Sequence, residues 1–254
     1  MITHMEERMG LNVSSGRITE PLRVLLYGQE GVGKTTWAAG MPAPLWLDAE
    51  RGSLALDVPR ITLDDDGRTR PDTMAEVSQL LRDLYREAHD YQTLVIDTAD
   101  SMESILHADL CARRGWAKGI EQPGYGKGYV AAEEEWHTLL HQIDTLRAHR
   151  GMHIVWIAHS RIAHFSNPAG DDYMRFEPAL HKKACACLKG WADVIGFAAF
   201  EDLRLEKGKA IASGRRLLHL QRTAAYDAKC RLDIAPVLDL DCSLFRDAAG
   251  IAST

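Results

Sequence analysis

The chain has 254 residues, of which 46% are hydrophobic and 26% charged, an ordinary balance for a globular protein that buries a core. Its longest uncharged apolar runs, such as 194–200, are too short to span a bilayer, and its charged first ten residues do not fit a signal peptide. The net charge of −6 argues against a protein covered with nucleic acid, although basic residues concentrate within 111–128 and 204–231. We therefore expect a cytoplasmic protein with no membrane partner.

Short apolar strands alternate with amphipathic helices along the chain, a pattern typical of an α/β fold with a mostly parallel central sheet flanked by helices. The predicted strands cover 23–27, 45–48, 93–97, 153–158, 194–200 and 217–222, and the longer predicted helices cover 72–89, 101–114 and about 129–149. No linker-like tract divides the chain. We predict a disordered segment at 1–20 followed by a single domain at 21–254.

The segment 28–35 has the pattern G-x-x-x-x-G-K-T and lies between a strand-like run and a run that can open a helix, as a phosphate-binding P-loop requires. Glycines let backbone N–H groups curl around the β-phosphate, and Lys34 reaches the β- and γ-phosphates. The Thr35 hydroxyl can ligate Mg²⁺. The alternative is a chance glycine-rich turn. The predicted ATP-contacting residues are Gly28, Gln29, Glu30, Gly31, Val32, Gly33, Lys34, Thr35 and Thr36.

Three strand ends supply further candidate residues for this site. Asp97 ends an aliphatic strand and is predicted to hold Mg²⁺ together with Thr35. Glu50 follows the strand at 45–48 and is predicted to activate water, the alternative being an acidic surface turn that it forms with Asp48. His159 follows the strand at 153–158, where a polar side chain can contact the γ-phosphate and report its presence.

Together these motifs resemble the RecA-type recombinase core and, more closely, the phage RecA-like single-strand annealing proteins. The strands ending Leu-Asp-Ala-Glu at 47–50 and Leu-Val-Ile-Asp at 94–97 carry the likeness to RecA, and segments 188–194 and 222–231 carry the likeness to the phage group. The resemblance covers about 21–234. It implies a RecA-like P-loop fold and a slow, DNA-dependent ATPase that binds single-stranded DNA and anneals complementary strands in phage recombination. Hydrolysis would reset the assembly.

The resemblance also implies roles and partners. Lys34, Glu50 and His159 take the catalytic roles, although His159 stands where classical RecA has glutamine. Lys229 and Arg231 fall near the paired lysines that reach the ATP of a neighbouring subunit, with arginine replacing one lysine. The implied partners are single-stranded DNA, further copies of the chain in a filament or ring, and a single-strand binding protein. A phage-encoded protein would work in the cytoplasm of the host cell.

Two segments predicted to be mobile, 115–128 and 160–175, coincide with the DNA-binding loops of the RecA core. Their basic side chains can neutralise phosphates and their aromatic rings can stack on bases, although Asp171 and Asp172 oppose this. The predicted DNA-contacting residues are Arg113, Arg114, Trp116, Lys118, Tyr125, Lys127, Arg161, Phe165 and Arg175.

Other functions are compatible with the same motifs. The first is a helicase- or loader-like replication ATPase, and the second is a nucleotide-gated binding module with negligible turnover. A small-molecule kinase fits less well because lid-like arginines are not evident.

Overall fold

The computed structural model describes residues 20–201, 205–206, 209–210 and 214–252. The predicted disordered segment at 1–20 lies outside the described residues apart from Glu20. Glu20 forms a salt bridge with Arg147, with 3.0 Å between Oε2 and Nη2.

A nine-stranded sheet with the order β11-β9-β6-β1-β4-β3-β2 forms the centre, and β10 and β5 pair with β6 and β4 respectively. Strands β2, β3, β4, β1 and β6 pair in parallel, as the alternation of strands and helices predicts. Strands β7 and β8 form a separate two-stranded sheet. The strands are β1 (Arg23–Gly28), β2 (Pro44–Asp48), β3 (Thr93–Asp97), β4 (His153–Phe165), β5 (Tyr173–Pro178), β6 (Val194–Phe200), β7 (Leu205–Glu206), β8 (Lys209–Ala210), β9 (Arg216–His219), β10 (Lys229–Cys230) and β11 (Val237–Asp239).

Helices cover both faces of the sheet because the central strands are apolar on both sides. Along β1, Leu25 faces the layer that contains Trp136 of α4, while Leu26 faces the layer that contains Phe245 of α6. This alternation follows from the two-residue period of a strand. The helices are α1 (Lys34–Ala39), α2 (Met74–Arg86), α3 (Ala99–Arg114), α4 (Lys127–Arg150), α5 (Lys182–Trp191) and α6 (Cys242–Ala249), with a 3₁₀ helix at Gly52–Ala55.

The segment 160–175, predicted to be a mobile loop, is instead mostly a β-hairpin. Strand β4 continues beyond its parallel neighbours to Phe165, and its last six residues, Ser160–Phe165, pair antiparallel with Tyr173–Pro178 of β5. The turn signal at 167–170 therefore marks the tip of a hairpin. The segment 115–126 is a succession of turns between α3 and α4, and Gly115 ends α3 in the left-handed conformation with φ 69°.

Candidate active site

The ends of four neighbouring parallel strands bring the candidate residues to one edge of the sheet. Gly28 of β1 lies opposite His159 of β4, and Asp48 of β2 lies opposite Asp97 of β3. A cavity of about 310 Å³ opens at this edge. It is lined by Glu30, Gly31, Gly33, Lys34, Thr35, Thr36, Glu50, Gly52, Asp97, Thr98, Ile157, His159 and Arg216.

The loop at 28–35 requires glycine for two different reasons. Gly31 and Gly33 adopt left-handed backbone conformations, with φ 70° and 105°. Gly28 packs so closely on β6 that an added Cβ would lie 2.1 Å from the carbonyl oxygen of Ala198. The Lys34 ammonium is buried and donates hydrogen bonds to the carbonyls of Gly28 and Gln29, at 3.1 and 2.9 Å. This folded-back loop has the form of a phosphate cradle.

Thr35 and Asp97 form a pair of oxygen donors at the floor of the cavity. The Thr35 hydroxyl donates a hydrogen bond of 3.0 Å to Oδ2 of Asp97, whose side chain is buried. Burial raises the pKa of the Asp97 carboxyl to about 6, and the negative charges of Asp48 and Glu50 add to the rise. A buried, crowded carboxylate next to a hydroxyl suits Mg²⁺, which prefers oxygen ligands and would offset this repulsion.

Glu50 stands at the rim of the cavity, where two neighbours hold its carboxylate. The Thr98 hydroxyl donates a hydrogen bond of 2.9 Å to Oε2, and Nε2 of His159 lies 3.8 Å from Oε1. The backbone N–H of Glu50 donates to the carbonyl of Asp97, at 3.1 Å, so the turn after β2 is fixed to the end of β3. The geometry places a carboxylate beside the predicted Mg²⁺ ligands, as a general base requires.

His159 is tied to Asp100, a residue that the sequence reasoning missed. The backbone N–H of His159 donates to Oδ1 of Asp100 at 3.0 Å, and the ring Nδ1 donates to Oδ2 at 2.8 Å. This hydrogen bond raises the pKa of the His159 ring, against a smaller opposing effect of burial. Burial acts to raise the pKa of Asp100, but the hydrogen bonds from His159 lower it on balance. The arrangement leaves Nε2 of the ring directed towards Glu50.

The alternative interpretation of an acidic surface turn is wrong for Asp48. Its side chain is fully buried and accepts hydrogen bonds from the backbone N–H groups of Gly52 and Ser53, at 3.2 and 3.3 Å. Asp48 therefore closes the turn after β2, and only Glu50 of the pair is exposed.

A protein family described as AAA domain, AAA_24, matches residues 20–232 of the chain. The chain belongs to this family. The AAA domain is a P-loop ATPase domain, so the predicted fold, an α/β P-loop domain with a mostly parallel sheet flanked by helices, is confirmed. Membership implies nucleotide binding and hydrolysis, typically with Mg²⁺. No curated protein matches the chain. None of the helices in the described part of the chain is long and apolar enough to cross a membrane.

Lys229 and Arg231 lie at the opposite end of β6 from the P-loop of this AAA domain. Lys229 donates to the carbonyl of Lys189 at 2.6 Å, and Arg231 pairs with Asp193 at 2.9 Å, just before β6 begins. The P-loop meets β6 at Ala198, which at 3.3 Å per residue lies about 10 Å along the strand from the β6 partner of Lys229 and about 17 Å from Asp193, the partner of Arg231. The structure does not bring the two residues to the cavity of their own chain, and a contact with the ATP of a neighbouring copy stays a prediction.

From the end of α3 to the start of α4, the predicted DNA-contacting residues fall into two groups. Arg114, Lys118, Tyr125 and Lys127 are exposed, and the Tyr125 side chain is fully so. Trp116 is half-buried and packs against the core.

Arg113 forms two salt bridges of 2.8 Å, with Asp109 and with Glu135. Its charge is therefore already largely matched inside the domain, which makes it a weaker candidate for a phosphate contact.

In the hairpin, Arg161 is exposed but Arg175 is buried and forms a salt bridge with Glu177. The guanidinium of Arg175 lies 4.2 Å from the centre of the Phe165 ring. Arg175 is therefore a weaker candidate for a DNA contact, because its charge is used to hold the hairpin together. Phe165 is partly covered by the same contact.

Arg216 lines the cavity and is, after Asp100, a second residue that the sequence reasoning missed. It begins β9 and belongs to the basic stretch 204–231, which signalled positive charge without indicating where that charge would lie. Asp100 had no such signal, because its partner is 59 positions away in the chain.

Proposed function

We propose that this AAA-domain protein is a Mg²⁺-dependent phage recombination ATPase that binds single-stranded DNA and promotes annealing of complementary strands. ATP binding favours the DNA-binding form and subunit contacts in a filament or ring, and hydrolysis resets the assembly. The observation that carries the proposal is the bond between Asp100 and His159, because it joins the start of α3, the helix that leads to one candidate DNA-contacting segment, to the residue that precedes the other.

The chemistry of hydrolysis falls to residues already placed at the cavity. Bound Mg²⁺ would neutralise charge on the phosphates, and Thr35 and Asp97 are the residues suited to hold it. The P-loop and Lys34 orient the phosphate chain. Glu50 accepts a proton from the attacking water, and the Thr98 hydroxyl keeps its carboxylate in position.

Two routes lead from the cavity to the candidate DNA surface, one along α3 over about 22 Å at 1.5 Å per residue and one directly into the hairpin. Asp100 lies in the first turn of α3, which leads to the exposed turns at 115–126. His159 is the last residue of β4 before the hairpin pairing begins at Ser160. A change in the position of the His159 ring therefore acts on the base of the hairpin and the start of α3 together.

The two candidate DNA-contacting segments are also neighbours beyond the cavity. Tyr129, near the start of α4, stacks on His181 with the ring centres 3.8 Å apart and the planes 7° apart. His181 follows the hairpin and donates its backbone N–H to Glu103 of α3, at 2.9 Å. Both segments are thus anchored to the same group of side chains, which supports their acting as one surface.

The chemistry of this surface suits a single strand. Lys118 and Lys127 are exposed and can neutralise phosphates, while the fully exposed Tyr125 ring offers a stacking face that does not depend on base identity. Arg161 and the exposed Ile162 extend the surface along the hairpin.

The proposal is tested by fluorescence anisotropy of a labelled oligonucleotide. Single-stranded and duplex forms are compared with and without Mg-ATP, at two salt concentrations. We expect salt-sensitive preference for the single strand that Mg-ATP strengthens, followed by ATP-dependent annealing. Tyr125→Ala should weaken binding about tenfold, since stacking contributes about 1–3 kcal/mol per base. Tyr85→Ala, which changes a partly exposed tyrosine on α2, is the matched control.

The rival functions give different results in the same series. Strand separation on a forked duplex would indicate a helicase-like motor. Slow turnover that DNA does not stimulate would indicate a nucleotide-gated binding module. Absence of DNA binding in both nucleotide states would refute the proposal and point to an ATPase that acts on another protein.

A further inference from the structure

Arg216 is brought to the P-loop by the way β9 joins the sheet. Strand β9 runs antiparallel to β6, and Arg216 lies opposite Phe200 at the end of β6 nearest the cavity. Its backbone carbonyl accepts a hydrogen bond of 2.8 Å from the N–H of Leu240. The backbone of Arg216 is therefore held on both sides, so the start of its side chain is fixed relative to the loop.

The guanidinium of Arg216 lies against the phosphate-binding loop itself. Its Nη1 is 3.0 Å from the position that a Cβ on Gly33 would occupy, and the side chain lines the cavity. The guanidinium carbon lies 5.8 Å from the centre of the Phe200 ring. Among the described residues, no carboxylate lies within salt-bridge distance of Arg216, whereas the adjacent Arg215 pairs with Glu201 and Asp239.

We propose that Arg216 binds the phosphate chain of the nucleotide held by its own P-loop. The planar guanidinium presents several N–H donors in a fixed fork that matches phosphate oxygens. This inference rests on the proposed ATPase function. It adds a positive charge beside the phosphates that comes from the same chain, whereas the resemblance implies positive charge from Lys229 and Arg231 of a neighbouring subunit.

The sheet order decides which phosphates Arg216 contacts. Strand β1 lies between β6 and β4, so Arg216 approaches the P-loop from one side and His159 from the other. Asp97, Glu50 and His159, the groups suited to the γ-phosphate and its attack by water, all lie on the β4 side. Arg216 is therefore assigned to the α- and β-phosphates, which ATP and ADP share.

The test compares the parent with Arg216→Ala, Arg216→Lys and the control Arg215→Ala in binding fluorescent ATP and ADP analogues at fixed Mg²⁺. Charge-assisted hydrogen bonds of this kind predict that Arg216→Ala weakens both nucleotides about tenfold or more. Arg215→Ala should change either affinity less than twofold. Arg216→Lys should fall between the parent and the alanine variant, because lysine keeps the charge and loses the fork.

The possible outcomes separate the role of Arg216 from the proposed ATPase function. Loss of affinity for ATP alone would place Arg216 on the γ-phosphate and overturn the assignment, as would unchanged affinities in Arg216→Ala. If the parent protein binds neither nucleotide, the proposed function is refuted as well. If the parent binds both nucleotides and Arg216→Ala binds them with the same affinities, only the role of Arg216 is overturned. Thermal unfolding without nucleotide confirms that each variant folds. If Arg216→Ala does not fold, equal affinities of the parent and Arg216→Lys would overturn the inference.

Discussion

Replacing Glu50 with glutamine separates the chemical step from nucleotide binding. The amide has nearly the same size and its oxygen can still accept the hydrogen bond from Thr98, but it cannot take a proton from water at neutral pH. A positioned general base contributes about 10²–10⁴ in rate, or about 3–5 kcal/mol of activation free energy. We expect kcat for ATP hydrolysis to fall by that factor.

The same substitution should leave nucleotide affinity unchanged or make it tighter. Burial is the main cause of the raised pKa of Asp97, but the negative charge of Glu50 contributes to it. Removing that charge lowers the pKa of Asp97, so a larger fraction of the carboxyl is ionised and able to hold Mg²⁺ near pH 6–7. If Glu50 instead helped to hold Mg²⁺, the substitution would weaken affinity and leave kcat at saturating Mg-ATP unchanged.

Phosphate release at saturating Mg-ATP gives kcat, and titration with a fluorescent ATP analogue gives affinity. Glu30→Gln is the matched control, because Glu30 is a second exposed glutamate on the cavity wall and its replacement removes the same charge but keeps the backbone N–H through which the P-loop is predicted to contact ATP. We expect the control to hydrolyse ATP within a fewfold of the parent. A kcat for Glu50→Gln within twofold of the parent would refute the assignment of Glu50 as the base.

Two further results follow from the bond between Asp100 and His159. In anisotropy titrations, the Asp100→Asn variant should bind single strands without nucleotide as the parent does, but Mg-ATP should strengthen that binding much less. The reason is that a neutral amide holds the imidazole less firmly than a carboxylate. Equal strengthening by Mg-ATP in variant and parent would contradict the proposed link. The raised pKa of His159 predicts that the parent has a higher free energy of unfolding than His159→Gln at low pH. This difference is complete below about pH 6.5, the ordinary pKa of a histidine, and it declines as the pH rises through the pKa of His159 in the folded state. Urea unfolding of both proteins between pH 5.5 and 9 measures this difference, and a constant value across the range would be incompatible with it.

The parts of the fold that the sequence predicts well are those with a strong local signal. Strand β3, Thr93–Asp97, is buried throughout and stands out as a continuous aliphatic run. The P-loop has both a motif and the flanking strand and helix that the motif requires. The hairpin is different, because its exposed strands mix polar and apolar residues and a turn signal between them is equally typical of a loop.

Most of the side-chain contacts that the sequence did not predict depend on pairing between distant segments. Asp100 reaches His159 only because β3 and β4 are neighbours, and Arg216 reaches Gly33 only because β9 returns along β6. Arg175 is the exception, since Glu177 is two residues away on the same face of a strand. A strand assignment for the hairpin would have predicted that ion pair.

The internal partners of the cavity residues indicate how nucleotide binding can act at a distance. Lys34 and Thr35 each have a partner within the chain, namely the loop carbonyls and Asp97, so a phosphate or cation must compete with those bonds. His159 differs, because its bond to Asp100 uses Nδ1 and leaves Nε2 directed into the cavity. A ligand can therefore engage the ring without breaking its link to α3 and the hairpin. We therefore propose His159, rather than the P-loop lysine, as the residue through which the state of the nucleotide would reach the candidate DNA surface.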